Sequence, residues 1–160
     1  MERVLVIGCP GAGKTHFARA LAAKTGLPLF HLDLLWHLPD KTTVSRPVFD
    51  ARLAEILCQT RWILDGNYLR TLGRRLTCCD SVFLLDYPTS LCLAGAAGRV
   101  GQKRPDLPWV EEELDEEFKN WILDFPRDQL PEIYRLLAGC RGRVTVFHTR
   151  EEADRWLAEH

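Results

Sequence analysis

The chain has 160 residues, and its 21 Lys and Arg nearly balance 22 Asp and Glu, which gives a formal net charge of −1. We expect one domain over residues 1–160, without the bulk positive field of proteins that bind nucleic acid nonspecifically. The six cysteines lack zinc-site spacing, so they do not predict a metal site. No run approaches the roughly 20 apolar residues of a membrane helix, and we expect a cytoplasmic protein without membrane contact.

Short apolar runs alternate with helix-like segments along the chain. Each run is continuous rather than alternating, as expected for parallel strands that are buried on both faces. Strands are predicted at residues 4–7, 29–32, 62–64, 82–85 and 144–147, and helices at 14–24, 48–59, 90–100 and 151–159. Strands separated by helices predict an α/β fold with a parallel sheet and helices on both of its faces.

The segment after the first predicted strand matches the pattern G-x-x-x-x-G-K-[ST] in full. Glycines in such a loop let backbone N–H groups point at phosphate oxygens, and the following helix adds its positive dipole end. We therefore predict a P-loop that binds ATP, in which Lys14 reaches the β and γ phosphates and Thr15 binds Mg²⁺. The predicted ATP-binding residues here are Gly8, Cys9, Pro10, Gly11, Ala12, Gly13, Lys14, Thr15 and His16.

Cys9 lies inside this loop, next to the predicted start of a helix. A helix N-terminus can lower the pKa of a thiol, so one interpretation is a reactive Cys9 that ATP protects from modification. The alternative is an inert small residue that fills the loop.

Three predicted strands are followed by an aspartate: Asp33, Asp65 and Asp86. Ligands of open α/β sheets bind beyond the carboxyl ends of the strands, so these side chains are expected beside the P-loop. Asp65 is expected to hold Mg²⁺ together with Thr15, and Asp33 to orient or deprotonate an acceptor hydroxyl group. Asp86 precedes Tyr-Pro and is interpreted as a turn or cap residue.

Basic residues outside the P-loop are candidates for stabilising the charge that spreads over a transferring phosphoryl group. The alternative for each of them is a solvated surface charge. They form three groups, which are Arg70, Arg74 and Arg75; Arg99, Lys103 and Arg104; and Arg127.

The last two groups lie in residues 99–127, which contain no predicted strand. Gly98, Gly101 and Pro105 open this segment and suit a hinge. The acidic stretch 111–117 is interpreted as the solvated face of a helix with an apolar stripe. We predict that approximately 99–127 is a helical insertion that closes over the phosphates as a lid and excludes water.

Five blocks of the sequence lie at residues 8–15, 31–33, 62–68, 84–88 and 104–106, the third being Trp-Ile-Leu-Asp-Gly-Asn-Tyr. Together they resemble the adenylate-kinase-related P-loop proteins that are often labelled DNA topology modulation proteins. The resemblance implies a five-stranded sheet in the order 2-3-1-4-5. True adenylate kinases carry Asp-Gly-Phe-Pro-Arg where this chain has Asp-Gly-Asn-Tyr-Leu-Arg, so AMP is not implied as the acceptor.

The same resemblance implies roles for individual residues. Arg99 in the lid would join the ATP site, and Lys14, Asp33, Arg104 and Arg127 would act in catalysis. The implied acceptor-binding residues are Asp33, Asp65, Asn67, Tyr68, Arg70 and Arg74.

Two functions are compatible with these patterns. The first is an ATP- and Mg²⁺-dependent kinase whose acceptor is a small molecule, with nucleosides and nucleotides as the leading class. The alternative is a nucleotide-dependent regulator that acts with DNA and transfers little or no phosphate. The near-zero net charge argues against strong unassisted DNA binding, and the patterns leave the oligomeric state open.

Overall fold

The computed structural model describes residues 1–160 as a parallel sheet of five strands with eight helices around it. The strand order is β2-β3-β1-β4-β5, which confirms the predicted fold class. The central strands β1, β3 and β4 are buried along almost their whole length, because helices cover both faces of the sheet. The strands are β1 Arg3–Gly8, β2 Leu29–His31, β3 Trp62–Asp65, β4 Ser81–Leu85 and β5 Arg143–Phe147.

Seven helices lie in the connections between these strands, and an eighth follows the last strand. They are α1 Lys14–Thr25, α2 Leu32–Trp36, α3 Arg46–Leu57, α4 Leu69–Cys78, α5 Thr89–Gly98, α6 Glu116–Asp128, α7 Leu130–Ala138 and α8 Arg150–Glu159. The sequence interpretation did not include α2, α4 or α7. Helices α4 and α7 do carry apolar pairs spaced four residues apart, Leu72 with Leu76 and Ile133 with Leu137, and these side chains are buried. No helix has the length and apolar character that crossing a bilayer requires.

The predicted second strand was one residue too long. Strand β2 ends at His31, and Leu32 begins the short helix α2. Leu32 is fully buried and packs against Gly66, where an added Cβ would lie 3.0 Å from the Cβ of Leu32. Asp33 is therefore in the first turn of a helix, although it remains at the carboxyl edge of the sheet.

Residues 99–127 are only partly helical, in contrast to the prediction. Helix α6 begins at Glu116, where Asp115 caps it by accepting a hydrogen bond from the backbone N–H of Glu117 at 2.7 Å. Residues 99–115 are irregular, including most of the acidic stretch that was interpreted as a helix face. The buried side chains of Ile122 and Phe125 anchor α6 to the core. The part of the predicted lid from Glu116 onward is therefore attached to the body of the fold.

Candidate functional site

The phosphate loop connects the central strand β1 to helix α1. Gly13 is the N-cap of α1 and has a left-handed backbone, with φ 99° and ψ 26°. No side chain caps this helix, and its first turn contains no acidic residue. The first N–H groups of a helix have no partner within the helix, so this terminus offers its donors and its positive dipole end to an anion.

Helix α5 lies directly under the loop. A Cβ added to Gly11 would overlap the carbonyl oxygen of Cys92, and a Cβ added to Gly95 would overlap the carbonyl oxygen of Gly11. Gly95 lowers the helix propensity of α5, and this backbone contact is the physical reason for its presence. The loop can adopt its shape only because both positions lack a side chain.

Asn67 fastens the start of the loop to the segment after β3. Its Oδ1 accepts a hydrogen bond from the backbone N–H of Gly8 at 2.9 Å, and its Nδ2 donates to the carbonyl oxygen of Gly8. Asn67 was predicted to bind the acceptor. Its side-chain amide is instead engaged by the backbone of the P-loop, although the residue also lines the adjoining cavity.

Asp65 ends β3 and is buried beside the loop. The hydroxyl group of Thr15 donates to Asp65 Oδ2 at 2.8 Å, and His31 Nδ1 lies 2.8 Å from the same oxygen. A hydroxyl and a carboxylate are the oxygen ligands that Mg²⁺ prefers, and the ion usually completes its shell with waters and substrate phosphates. Thr15 and Asp65 supply only two protein ligands, so this donor set fits a metal whose remaining ligands come from water and a nucleotide.

Lys14 is half-buried between the loop and this carboxylate. Its Nζ donates to the carbonyl oxygen of Cys9 at 3.2 Å. Burial lowers the pKa of Lys14, while the carboxylates of Asp65 and Asp33 act in the opposite direction. An anionic phosphate beside Lys14 would favour the charged ammonium group further.

Two cavities meet at the P-loop. The first has a volume of about 450 Å³ and extends over Asp33 and Asp65, and the second has a volume of about 370 Å³ and extends over α1, α5 and α8. Gly11, Gly13 and Arg99 line both of them. The predicted residues that the first cavity brings together are Pro10, Gly11, Gly13, Lys14, Thr15, Asp33, Asp65, Asn67, Tyr68, Arg70, Arg99 and Arg104. His16 and Ala12 line the second cavity.

Arg99 lies at the junction of the two cavities. Its Nε is inaccessible to solvent and has no hydrogen-bond partner. Burial lowers the pKa of Arg99, and the nearby guanidinium of Arg104 adds to this effect. An unpaired buried donor is costly, about 1–3 kcal/mol, and Arg99 carries this cost at the junction of the two cavities.

Asp33 faces the first cavity together with Tyr68. The Tyr68 hydroxyl donates to Asp33 Oδ1 at 2.6 Å. Burial raises the pKa of Asp33, the hydrogen bond from Tyr68 opposes this shift, and the negative charges of Asp106 and Asp65 add to it. Asp33 is thus a stronger base than a solvent-exposed aspartate.

Tyr68 has a left-handed backbone, with φ 37° and ψ 64°, which is uncommon for a residue with a side chain. The fully buried guanidinium of Arg75 holds this turn by donating to the carbonyl oxygens of Gly66, Asn67 and Tyr68. Burial lowers the pKa of Arg75 to about 9, so the group stays protonated at neutral pH. Arg75 was a candidate for phosphate binding, and its hydrogen bonds instead shape the loop that presents Tyr68.

Two other predicted arginines line the first cavity, but each of them is already paired with a carboxylate. Arg104 lines the first cavity but is paired with Asp106 at 2.6 Å and with Glu111 at 3.2 Å. Arg70 also lines it and is paired with Asp50 at 2.7 Å.

Two arginines are not brought to the cavity at all. The side chain of Arg127 is 73% exposed and pairs with Asp128 and Asp124 on its own helix, and Arg74 is exposed on α4. The structure therefore gives no support to a catalytic Arg127 or an acceptor-binding Arg74, because neither residue lines the first or the second cavity.

Several residues at the site were not identified from the sequence. His31 contacts Asp65, and Asp106, Trp121 and Gln129 line the first cavity. A lone histidine or glutamine carries no local pattern. Asp106 belongs to the Arg-Pro-Asp block, which was the one available signal for it.

The prediction of a reactive Cys9 is not supported. The Cys9 side chain is buried, and a hydrogen bond with Cys92 together with burial raises the pKa of the Cys9 thiol. A raised pKa leaves less thiolate at neutral pH, which lowers reactivity. The alternative interpretation, a small residue that fills the loop, agrees with the structure.

Comparisons with known proteins agree with this architecture. The family model described as ATPase family associated with various cellular activities (AAA) matches residues 4–57, which include β1, the P-loop and helices α1 to α3. No curated protein gives a significant sequence match.

Three similar solved structures are small kinases. A shikimate kinase from Bacteroides thetaiotaomicron has 17% identity and a TM-score of 0.66, with 99% of this chain and 95% of that chain covered. A shikimate kinase from Acinetobacter baumannii in complex with shikimate has 16% identity, a TM-score of 0.65 and coverages of 99% and 92%. A gluconokinase from Sinorhizobium meliloti has 17% identity, a TM-score of 0.54 and coverages of 99% and 92%. At these identities the similarity shows a shared fold alone.

The contact between the P-loop and α5 predicts that two Gly→Ala substitutions in α5 have opposite effects on stability. Gly→Ala in a helix normally stabilises it by about 0.5–1 kcal/mol. Gly98→Ala should behave in this way, because no atom lies within 4 Å of the added Cβ. Gly95→Ala should instead destabilise the fold by about 1–3 kcal/mol, the usual cost of overpacking, and should weaken ATP binding. Thermal unfolding and ATP titration of both variants test this. Equal stability of the two variants would contradict the proposed role of the contact.

Proposed function

We propose that the protein transfers the terminal phosphoryl group of ATP to a hydroxyl group of a small molecule. The observation that carries this proposal is the position of the P-loop between two cavities that share Gly11, Gly13 and Arg99. A kinase needs one site for the nucleotide and one for the acceptor, with the phosphates at their junction. The shikimate kinases and the gluconokinase, which have this fold and are named for small hydroxylated molecules, support the same reading.

In this proposal the second cavity takes the nucleoside part of ATP and the P-loop takes its phosphates. The N–H groups at the start of α1, Lys14 and Arg99 would balance the phosphate charge. Thr15 and Asp65 would hold Mg²⁺, which neutralises charge on the β and γ phosphates. His31 would keep the Asp65 carboxylate oriented through its contact with Oδ2.

Asp33 would act on the acceptor. The acceptor hydroxyl oxygen attacks the γ-phosphorus, the bond from that phosphorus to the β–γ bridging oxygen breaks, and ADP leaves. The hydroxyl proton moves to Asp33, whose raised pKa makes it a suitable acceptor, and is then released to solvent. Tyr68 would hold the Asp33 carboxylate in place through its 2.6 Å hydrogen bond.

Residues 99–115 form the part of the chain that can close over the phosphates in this proposal. They carry Arg99 and Arg104, whereas α6 is anchored in the core by Ile122 and Phe125. The predicted lid is accordingly narrowed from 99–127 to 99–115.

The alternative function, regulation of DNA topology, and membership of the adenylate-kinase-related family stay predictions. No observation favours the DNA function over the kinase, since Arg70, Arg104 and Arg127 are each paired with carboxylates rather than grouped into a basic surface.

The central test measures ATP-dependent phosphorylation of a library of small hydroxylated molecules. Lys14→Ala should lower kcat/KM about 100-fold or more, the usual cost of removing one group that stabilises transition-state charge. Asp33→Asn should keep ATP affinity and lower kcat by about 10²–10⁴-fold, the contribution of a general base. Lys24→Ala, at an exposed position near the end of α1 and outside both cavities, is the control and should retain activity. Wild-type turnover in Lys14→Ala would refute the proposal.

The hydrogen bond from Tyr68 predicts the pH dependence of the reaction. It lowers the pKa of Asp33, so Tyr68→Phe should raise that pKa. A base works only when ionised, and activity is lost as pH falls through its pKa; the acid limb of the kcat profile should therefore move to higher pH. Tyr134→Phe removes an equivalent 2.6 Å hydrogen bond to Asp86, outside the first cavity, and should leave the limb in place. A limb that stays fixed or moves to lower pH in Tyr68→Phe would argue against Asp33 as the base.

Hydrogen exchange tests the narrowed lid. Amides of residues 99–115 should gain protection when a non-hydrolysable ATP analogue binds, because irregular surface segments open readily without a ligand. Amides around Ile122 and Phe125 should be protected already and change little. Full protection of 99–115 before ligand is added would show a rigid segment instead.

A further inference from the structure

The part of the first cavity that lies outside the nucleotide machinery has its own chemistry. We define the acceptor half as the lining residues other than the P-loop, Asp65 and Arg99. Its polar and aromatic members used below are Asp33, Arg70, Arg104, Asp106, Trp121 and Gln129. Resting on the proposed function, we propose that the acceptor is an uncharged, hydroxyl-bearing molecule with a planar heterocyclic ring, a nucleoside rather than a nucleoside monophosphate or a sugar acid.

The first observation is that both guanidinium groups of the acceptor half already have carboxylate partners. Arg70 donates to both oxygens of Asp50, at 2.7 and 3.1 Å. Arg104 donates to both oxygens of Asp106, at 3.0 and 2.6 Å, and to Glu111 at 3.2 Å. Proteins recognise phosphate and carboxylate groups through arginines whose donors are available. Neither arginine has its planar fork available in this way.

The second observation is the balance of charge around the acceptor half. Its two guanidinium groups face Asp33, Asp106 and the two partner carboxylates of Asp50 and Glu111. Asp106 is 4% exposed, and its close pairing with Arg104 is protected from water. A phosphate or carboxylate on the acceptor would have to displace one of these acids or lie beside them, and like charges in a partly desolvated site repel.

The third observation is the presence of an aromatic side chain that lines the cavity and has little packing of its own. Trp121 is 51% exposed although it is large and apolar. A planar ring stacked on this indole would cover it, and aromatic side chains bind bases by stacking whatever the base, because every base has a π-face. Gln129 also lines the cavity and offers both donors and an acceptor to the edge of a heterocycle. Asp33 is then the group that accepts the proton of a sugar hydroxyl group.

The test measures acceptor binding without chemistry, by calorimetry on protein saturated with Mg²⁺ and a non-hydrolysable ATP analogue. Adenosine, guanosine, cytidine and thymidine are compared with their 5′-monophosphates, and shikimate and gluconate are included as carboxylates. At least one nucleoside should bind, and its monophosphate should bind at least about tenfold more weakly. Binding of a monophosphate, shikimate or gluconate as tightly as the best nucleoside, or no binding of any nucleoside, would overturn the inference.

Asp50→Asn shows whether the paired arginine is the cause. Asp50 lies on α3 and does not line the cavity, and its loss frees the guanidinium of Arg70. The variant should bind the monophosphate several-fold more tightly than wild type while nucleoside affinity is unchanged. Glu55→Gln makes the same charge change at an exposed position of α3 and should alter neither affinity. No gain for the monophosphate in Asp50→Asn would overturn the assigned role of Arg70.

The outcomes of these binding measurements can be distinguished from a failure of the proposed function. Absence of ATP-dependent transfer, or activity that does not depend on Lys14, counts against the kinase. Acceptor discrimination is read from binding alone, so an anion-preferring cavity refutes the inference even in a protein that proves to be a kinase.

Discussion

The site depends on one close approach of two backbones, in which the P-loop passes over helix α5 at Gly11 and Gly95 with no space for a side chain on either. This contact fixes the curvature of the loop, and with it the direction of the N–H groups at the start of α1. Because α5 ends at Gly98, it also sets the position of Arg99 relative to the P-loop. The same packing contact therefore helps to position both the loop and the arginine that meets it.

Most charged side chains near the P-loop have an individual partner, and they do not form a continuous charged surface. Asp65 accepts a hydrogen bond from the Thr15 hydroxyl group and lies beside His31. Asp33 accepts a hydrogen bond from the Tyr68 hydroxyl group, and Arg104 is paired with two acids. Lys14 and Arg99 are exceptions, since Lys14 donates only to a backbone carbonyl oxygen and the buried Nε of Arg99 has no partner. A site built in this way provides positive charge where two cavities meet and little elsewhere. That distribution suits a chemistry in which only the transferred group is strongly anionic.

The sequence predicted the parts of the site that have local patterns. The P-loop and Asp65 follow apolar strands, and both lie where the carboxyl edge of a parallel sheet places them. Asp33 was expected directly after a strand, but it lies in the five-residue helix α2. The sequence did not predict α2, because so short a helix has too few residues to show the helical period. Arg75 and Arg127 could not be told apart from their surroundings in the sequence, since burial of one and exposure of the other result from tertiary packing. The pairing of Arg104 with Asp106 and Glu111 likewise depends on the irregular path of residues 99–115.

The turn held by Arg75 has a consequence for the order in which the molecule assembles. Its guanidinium is completely removed from water only when α4 lies against the sheet and the carbonyl oxygens of residues 66–68 converge on it. A chain in which α4 has not docked exposes that charge to solvent and leaves Tyr68 free to relax from its left-handed backbone. Binding competence and native packing are thereby acquired together. An incompletely folded copy would therefore lack the turn that presents the Tyr68 hydroxyl group to Asp33.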